Sequence, residues 1–380
     1  MGSSPRIPEL DGLRGLAILA VMLFHYTPET GPLHFLAPVL LTGWIGVDLF
    51  FVLSGYLIAG ILLDSAGRRG YYRNFIIRRS LRIFPLYYAC LLLYGIVTYY
   101  PYSIDWKDFL HATGWYFGYF GNVKTFLDNG WPRMAILTPL WSLQVEEQFY
   151  LTFPLLVWAL KRKTLAIVLA AAAVLALAIR IAMTLAMPAN LIGTYALAPC
   201  RMDALAMGGL IAIAVRERPE WLRNRWIGWT AAFSGAVFVA VWVFAGNTPW
   251  TGAMRTIGFT SADLAFAGLL ATLIGRRPRI LLALFRPRIL VWLGTISYGL
   301  YLLHVTAPTI AHGLLDPLVK IPPRGSADLF LSLAASTCAA WLSWSFFESP
   351  ILKWKDRFTP DRLKVRTRSE KDFMAADKHR

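Results

Sequence analysis

Residues Gly43–Leu63 read GWIGVDLFFVLSGYLIAGILL, 21 residues that carry one charge, Asp48. As a helix this stretch rises about 31 Å, the thickness of a bilayer's hydrocarbon core. It predicts a membrane-crossing helix, and it has company. Apolar runs of similar length recur at 12–28, 83–100, 141–160, 164–186, 199–215, 226–245, 257–275, 289–312 and 327–347. Ten such runs in 380 residues predict an all-α integral membrane protein, a bundle of about ten transmembrane helices. Residues 1–350 form its membrane domain, and 351–380 read as a short basic cytoplasmic tail.

Composition agrees. The chain is 57% hydrophobic and only 16% charged, yet its formal charge is +16. A soluble enzyme and a disordered, basic nucleic-acid binder are both excluded by where the apolar residues lie. The three cysteines, Cys90, Cys200 and Cys338, sit in or beside apolar runs and have no disulfide or metal spacing. The first apolar run contains Arg14 and His25 and no small-residue cleavage site follows it, so it does not read as a secretory signal. No sequence repeat, phosphate-binding loop, zinc motif or nucleophile elbow occurs.

Orientation follows from the basic residues in the connections. Of 38 Lys and Arg, 29 fall before the first run, in the even-numbered connections and in the tail. Six fall in the odd-numbered connections, and Arg14, Arg180 and Arg201 lie inside runs. An asymmetry alternating in phase with the spans predicts both termini inside. The long outer connection, 101–140, holds Trp115, Tyr116, Phe117, Tyr119 and Phe120. It reads either as a cap folded onto the bundle or as an aromatic belt at the headgroups.

Ionisable groups within spans cost several kcal/mol unless they are paired or wetted, so they mark function by default. Arg14 and His25 are eleven residues apart, about 20° from three full turns, which places them on one helix stripe about 16 Å apart. A fixed cation at one end and a titratable imidazole toward the other suit a long ligand with an anionic head. Arg14 as a snorkelling anchor and His25 as a helix-packing residue are the plainer readings. Asp48 is placed to orient His25 or to hold a cation, while Ser54 and Gly55 read as packing residues. Glu146 and Glu147 point about 100° apart, so one of the two faces a shared cavity. Arg180, Arg201, Asp203, Asp263, Tyr301 and His304 add polar groups, with Arg201 and Asp203 able to pair locally. Arg79 and Arg82, three apart on one helix face, are either phosphate ligands or inner-face anchors.

These residues fall in motifs: Leu10-Asp11-Gly12-Leu13-Arg14-Gly15 with His25 beyond it, Phe50-Phe51-Val52-Leu53-Ser54-Gly55-Tyr56, Arg79-x-x-Arg82, Trp141-Ser142-Leu143-Gln144-Val145-Glu146, and Ser297-Tyr298-Gly299-Leu300-Tyr301-Leu302-Leu303-His304. In this order, from about Pro8 to Pro350, the chain resembles the acyltransferase-3 family, bacterial integral-membrane O-acyltransferases acting on glycans. The resemblance implies transfer of an acyl group, acetyl by default, from cytoplasmic acyl-CoA. The acceptor it implies is a sugar hydroxyl on a cell-surface or exported glycan, or on a lipid-linked sugar. His25 is then the catalytic residue, with Asp48 and Glu146 as acidic orienters. Arg14, Arg79 and Arg82 then serve the acyl-CoA; as polar groups within the runs, Arg180, Arg201, Asp203, Tyr301 and His304 are assigned to the acceptor. Localisation in the bacterial cytoplasmic (inner) membrane follows from the same resemblance. From the sequence itself no metal or nucleic-acid partner is expected, and although some members of the family append an SGNH-type domain, the roughly 30 residues after the last run lead us to expect none here. The chain then acts alone or with a separate periplasmic partner.

His25 acts as a general base or as the acyl-accepting residue, routes the sequence does not separate. A secondary transporter of a glycan or anion is the competing class, and an assembly subunit the third. Acceptor identity, acyl length and oligomeric state are not legible.

Overall fold

The computed structural model describes residues 7–102, 113–132, 134–315 and 317–354. Most of the expected tail, from 355 onward, and residues 103–112 and 133 of the 101–140 connection therefore lie outside the described residues. Among those described, all regular structure is helical and there is no strand.

The long elements are α1 (Pro8–His25), α2 (Gly46–Ser65), α3 (Tyr71–Tyr102), α4 (Leu140–Ala159), α5 (Arg162–Ala186), α6 (Ala198–Glu217), α7 (Arg225–Ala245) and α8 (Phe259–Gly275). After α8 come α9 (Arg288–Thr295), α10 (Ser297–Leu303), α11 (Thr306–Leu315) and α12 (Ser326–Ser343). Six stretches are long and apolar enough to cross a membrane: His34–Ser65, Arg162–Ala186, Leu191–Glu217, Arg225–Ala245, Met254–Gly275 and Ser326–Leu352. The long helices outside this set, α1, α3 and α4, carry Arg14, Arg79 with Arg82, and Glu146 with Glu147. The helices least like plain membrane anchors are thus the ones with the candidate chemistry.

The bundle has a centre and a rim. In the spans that end in α2 and α6, 61% of the apolar window is buried, against 11% in α7. The outward residues of α7, Phe233 and Phe244 among them, are apolar, as a lipid-facing surface requires. α2 and α6 pack in close contact. A Cβ on Gly55 would lie 2.0 Å from the Leu205 carbonyl oxygen, and one on Gly208 would lie 2.1 Å from that of Val52. Only glycine permits this approach, the small-residue packing used where no hydrophobic force draws helices together in lipid.

The expected span 289–312 is not one helix. It is divided into α9, α10 and α11, with interruptions at Ile296 and at His304-Val305. Pro308 has no N–H to give the His304 carbonyl four residues earlier. The Tyr26 hydroxyl donates to that carbonyl instead. Tyr94 Oη donates to the Leu302 carbonyl at 2.8 Å, and His304 Nδ1 lies 2.7 Å from the Tyr301 carbonyl. A broken helix persists at membrane depth because side chains re-satisfy the freed backbone.

The described part of the aromatic connection folds onto the bundle. Tyr116 and Tyr119 are buried. Tyr87 Oη donates to the Tyr116 carbonyl at 2.8 Å, and the Tyr87 and Tyr119 rings stack with centroids 4.4 Å apart. Of the two readings of this segment, the cap is the one realised at these residues.

Candidate active site

Residues from all five motifs line one cavity. Arg14 comes from α1, Phe50 and Ser54 from α2, and Arg79 and Arg82 from α3. Ser142, Glu146 and Tyr150 come from α4, and Ser297, Tyr298 and Tyr301 from α10. The cavity with its mouth holds about 740 Å³ of empty space. Its charged lining is three guanidiniums and one carboxylate, a net attraction for anions. Arg14 has Asp11 at 3.4 Å, and the Arg79 guanidinium lies 5.8 Å from the Phe75 ring centre and 6.0 Å from that of Tyr150.

Glu146 is held from two sides. Ser54 Oγ donates to Oε1 at 2.6 Å, and Tyr150 Oη donates to Oε2 at 3.0 Å. Tyr150 sits four residues after Glu146 and so shares its helix face. Glu147, one residue on, is buried elsewhere and does not line the cavity, as the 100° offset requires. Ser54, expected to be a packing residue, is instead a ligand of the cavity's carboxylate. At the other end the Ser142 and Tyr301 hydroxyls share a hydrogen bond of 2.5 Å, and Tyr301 Oη donates to the Pro139 carbonyl at 2.8 Å.

His25 is not in the cavity lining. It ends α1, exposed, and is joined to the cavity through rings: Tyr301 to His304 with centroids 5.7 Å apart, then His304 to His25 at 4.7 Å, edge-on. His25 Nδ1 lies 2.9 Å from the Val21 carbonyl. A carbonyl only accepts, so in the neutral ring Nδ1 carries the proton and Nε2 presents its lone pair. His304 is fully buried and has the same tautomer, set by the Tyr301 carbonyl, and its Nε2 has no partner among the described residues.

Asp48 does not serve His25 in this arrangement. It is fully buried and pairs with Arg201, whose guanidinium lies 4.3 Å from the Phe259 ring centre. Asp203 pairs with Arg180 at 2.6 Å, and not with Arg201, the local pairing the sequence left open. Arg180 also donates to the Cys200 carbonyl and, at 2.6 Å, to Thr260 Oγ1. The physical reason is common to both pairs. A buried guanidinium is always charged and demands a carboxylate, which a neutral imidazole does not. None of Asp48, Arg180, Arg201 and Asp203 lines the cavity. They tie α2, α5, α6 and the start of α8 together. Among the described residues no group of three or more His, Cys, Asp or Glu is placed to hold a metal ion.

Comparison with known proteins places the chain. It is 31% identical over 375 residues to the peptidoglycan O-acetyltransferase OatA of Listeria monocytogenes, covering 91% of this chain and 56% of the relative. It is 28% identical over 380 residues to YrhL, a putative peptidoglycan O-acetyltransferase of Bacillus subtilis, covering 91% and 55%. A putative O-acetyltransferase of Staphylococcus aureus is 24% identical over 390 residues, with 94% and 60% covered. The chain spans little more than half the length of these relatives. No solved structure matches it. A family model described as an acyltransferase domain matches residues 7–346, nearly the whole of the described structure, and the chain belongs to the acyltransferase-3 family.

Proposed function

We propose that the protein is a membrane O-acyltransferase that moves an acyl group, acetyl by default, from cytoplasmic acyl-CoA to a sugar hydroxyl of a cell-surface or exported glycan. The observation that carries this reading is the cavity itself. Arg14, Arg79 and Arg82 converge there on an anion-attracting space, and ring contacts connect that space to an exposed imidazole with a free Nε2. The names of the relatives make peptidoglycan the first acceptor to try.

In this reading the donor's pyrophosphate lies on the three arginines, and its thioester arm runs beside α1 toward His25. His25 Nε2 takes the proton from the acceptor hydroxyl as the oxygen attacks the thioester carbonyl. The C–S bond breaks, an ester forms, and the proton goes to the departing thiolate to give free coenzyme A. The Val21 carbonyl holds the ring in the tautomer this step needs. Tyr301 and His304 Nε2 supply polar contacts on the acceptor side. Ten spans with both termini inside, in the inner membrane, put the arginines near the cytoplasm and His25 near the outer face.

The test is labelled acetyl-CoA given to the purified protein in nanodiscs with a glycan acceptor. Wild type releases coenzyme A and labels the acceptor, and His25→Ala, with an unchanged melting curve, does neither. Normal transfer by His25→Ala overturns the mechanism. Transport of glycan without thioester cleavage in the wild type overturns the function.

A further inference from the structure

A second cavity, about 930 Å³, opens where the α2–α3 turn meets the far end of α4. Arg68, Tyr72 and Arg73 line one side, and Pro154 and Trp158 the other. It follows the same seam as the first cavity. Tyr72 precedes Arg79 by seven residues, close to two full turns, so the two share a face of α3 about 10 Å apart. Trp158 follows Tyr150 by eight residues on α4, which gives a similar offset in the same direction, toward the basic residues Lys161–Lys163. The buried Phe75–Tyr150 ring pair, centroids 6.4 Å apart, lies on the seam between the two.

Some basic residues near this end of the bundle are neutralised by carboxylates. Arg216 is paired with Asp64 at 2.6 Å, Arg162 with Glu217, and Arg277 and Arg286 with Glu9. Arg68 and Arg73 have no acidic partner among the described residues. Two aromatic faces stand beside them. Trp158 is 75% exposed and Tyr72 38%, and neither ring packs on another among the described residues. Uncompensated guanidiniums beside open aromatic faces match a ligand that carries both a phosphate and a planar heterocycle. A lipid headgroup supplies the phosphate but no ring to stack.

Resting on the acyl-CoA reading above, we propose that this second cavity receives the nucleotide end of the donor. The adenine stacks on Tyr72 and Trp158, and the ribose 3′-phosphate pairs with Arg68 and Arg73. The pyrophosphate then reaches Arg79 and Arg82 about two helical turns further along the seam. The donor is gripped at two places, and only the first cavity touches its reactive half.

Three donors separate the two grips in nanodiscs: acetyl-CoA, acetyl-3′-dephospho-CoA and acetyl-pantetheine, which lacks the nucleotide. In wild type KM rises along that series. The double variant Arg68→Ala/Arg73→Ala raises KM for acetyl-CoA about tenfold, the combined worth of two exposed charge contacts. It moves KM for acetyl-pantetheine less than about twofold, and Trp158→Ala follows the same pattern. Direct titration with 3′,5′-adenosine diphosphate gives binding to wild type and to His25→Ala, and about tenfold weaker binding to the double variant. Equal KM changes for all three donors, no change for any, or no binding of the free nucleotide overturns the proposal while the acyltransferase reading stands. An effect that vanishes when phosphatidylglycerol is left out of the nanodisc assigns the cavity to a lipid headgroup and also overturns it. No thiol release from any donor by wild type overturns the function itself.

Discussion

Glu146 shows how one side chain organises the cavity. Both of its oxygens accept from hydroxyls, Ser54 on a neighbouring helix and Tyr150 one turn along its own. Its charge sits among Arg14, Arg79 and Arg82. Hydrogen bonds to a charged group are worth about 1.5–3 kcal/mol each. Glu146→Gln keeps the shape, removes the charge and reverses one bond's polarity. We expect kcat/KM for acyl transfer to fall about 10- to 100-fold, while Ser54→Ala falls less because Tyr150 remains. Steady-state kinetics on the two variants check this, and a Glu146→Gln enzyme at wild-type kcat/KM refutes the role. Part of this was legible beforehand. The single-residue offset admits only one of Glu146 and Glu147 to a shared cavity, and the motif match points to Glu146. Ser54 was not legible, because a small hydroxyl among apolar residues reads the same whether it packs or donates.

At the scale of elements, buried pairs and close backbones hold the centre. Removing one partner of a buried ion pair strands a charge and costs about 3–5 kcal/mol, whereas removing both can be nearly neutral. Arg201→Met and Asp48→Leu should each lower the melting temperature in detergent clearly, and the double variant should recover most of the loss. Additive losses would show that the Asp48–Arg201 pair is not the unit described. The α2–α6 crossing has a different dependence. Gly208→Val drives a side chain into the Val52 carbonyl and the Tyr56 N–H, so the helices must separate. We expect a sharp loss of folded protein on size-exclusion chromatography, and a normal profile would contradict the close approach. The broken segment α9–α11 belongs to this scale too. Its apolar run looked continuous, and only Pro308 hinted at the freed carbonyl that Tyr26 reaches. Tyr26 is more than 270 residues away in the chain, so no local pattern encodes the contact.

At the scale of the whole molecule, the charge asymmetry and the cavity make one statement about direction. In the proposed ten-span topology, the cluster Arg14, Arg79 and Arg82 falls on the side that holds 29 of the 38 basic residues. If both termini are inside, single cysteines placed on a background free of Cys90, Cys200 and Cys338 should report it. Arg69→Cys should resist an impermeant maleimide added to intact cells, and Glu29→Cys should react. Reversed labelling would overturn the orientation and, with it, the cytoplasmic side assigned to the donor. The basic excess first suggests a polyanionic partner. In the proposed topology most of it lies on the inner side, and the part facing the cavity is three guanidiniums.

The sequence by itself determined that the chain is helical and membrane-bound, which motifs matter, that Arg14 and His25 share one helix stripe, and that Glu146 and Glu147 do not share a face. These are properties of helical period and apolar length, and both are local. The tertiary structure decided the pairing of charges. Asp48 went to Arg201 and Asp203 to Arg180, because a buried guanidinium takes the carboxylate that helix packing brings near, whatever its distance in sequence. It also decided that three arginines and Glu146 share one cavity while His25 stands outside it, reached through Tyr301 and His304. That arrangement depends on how five segments cross.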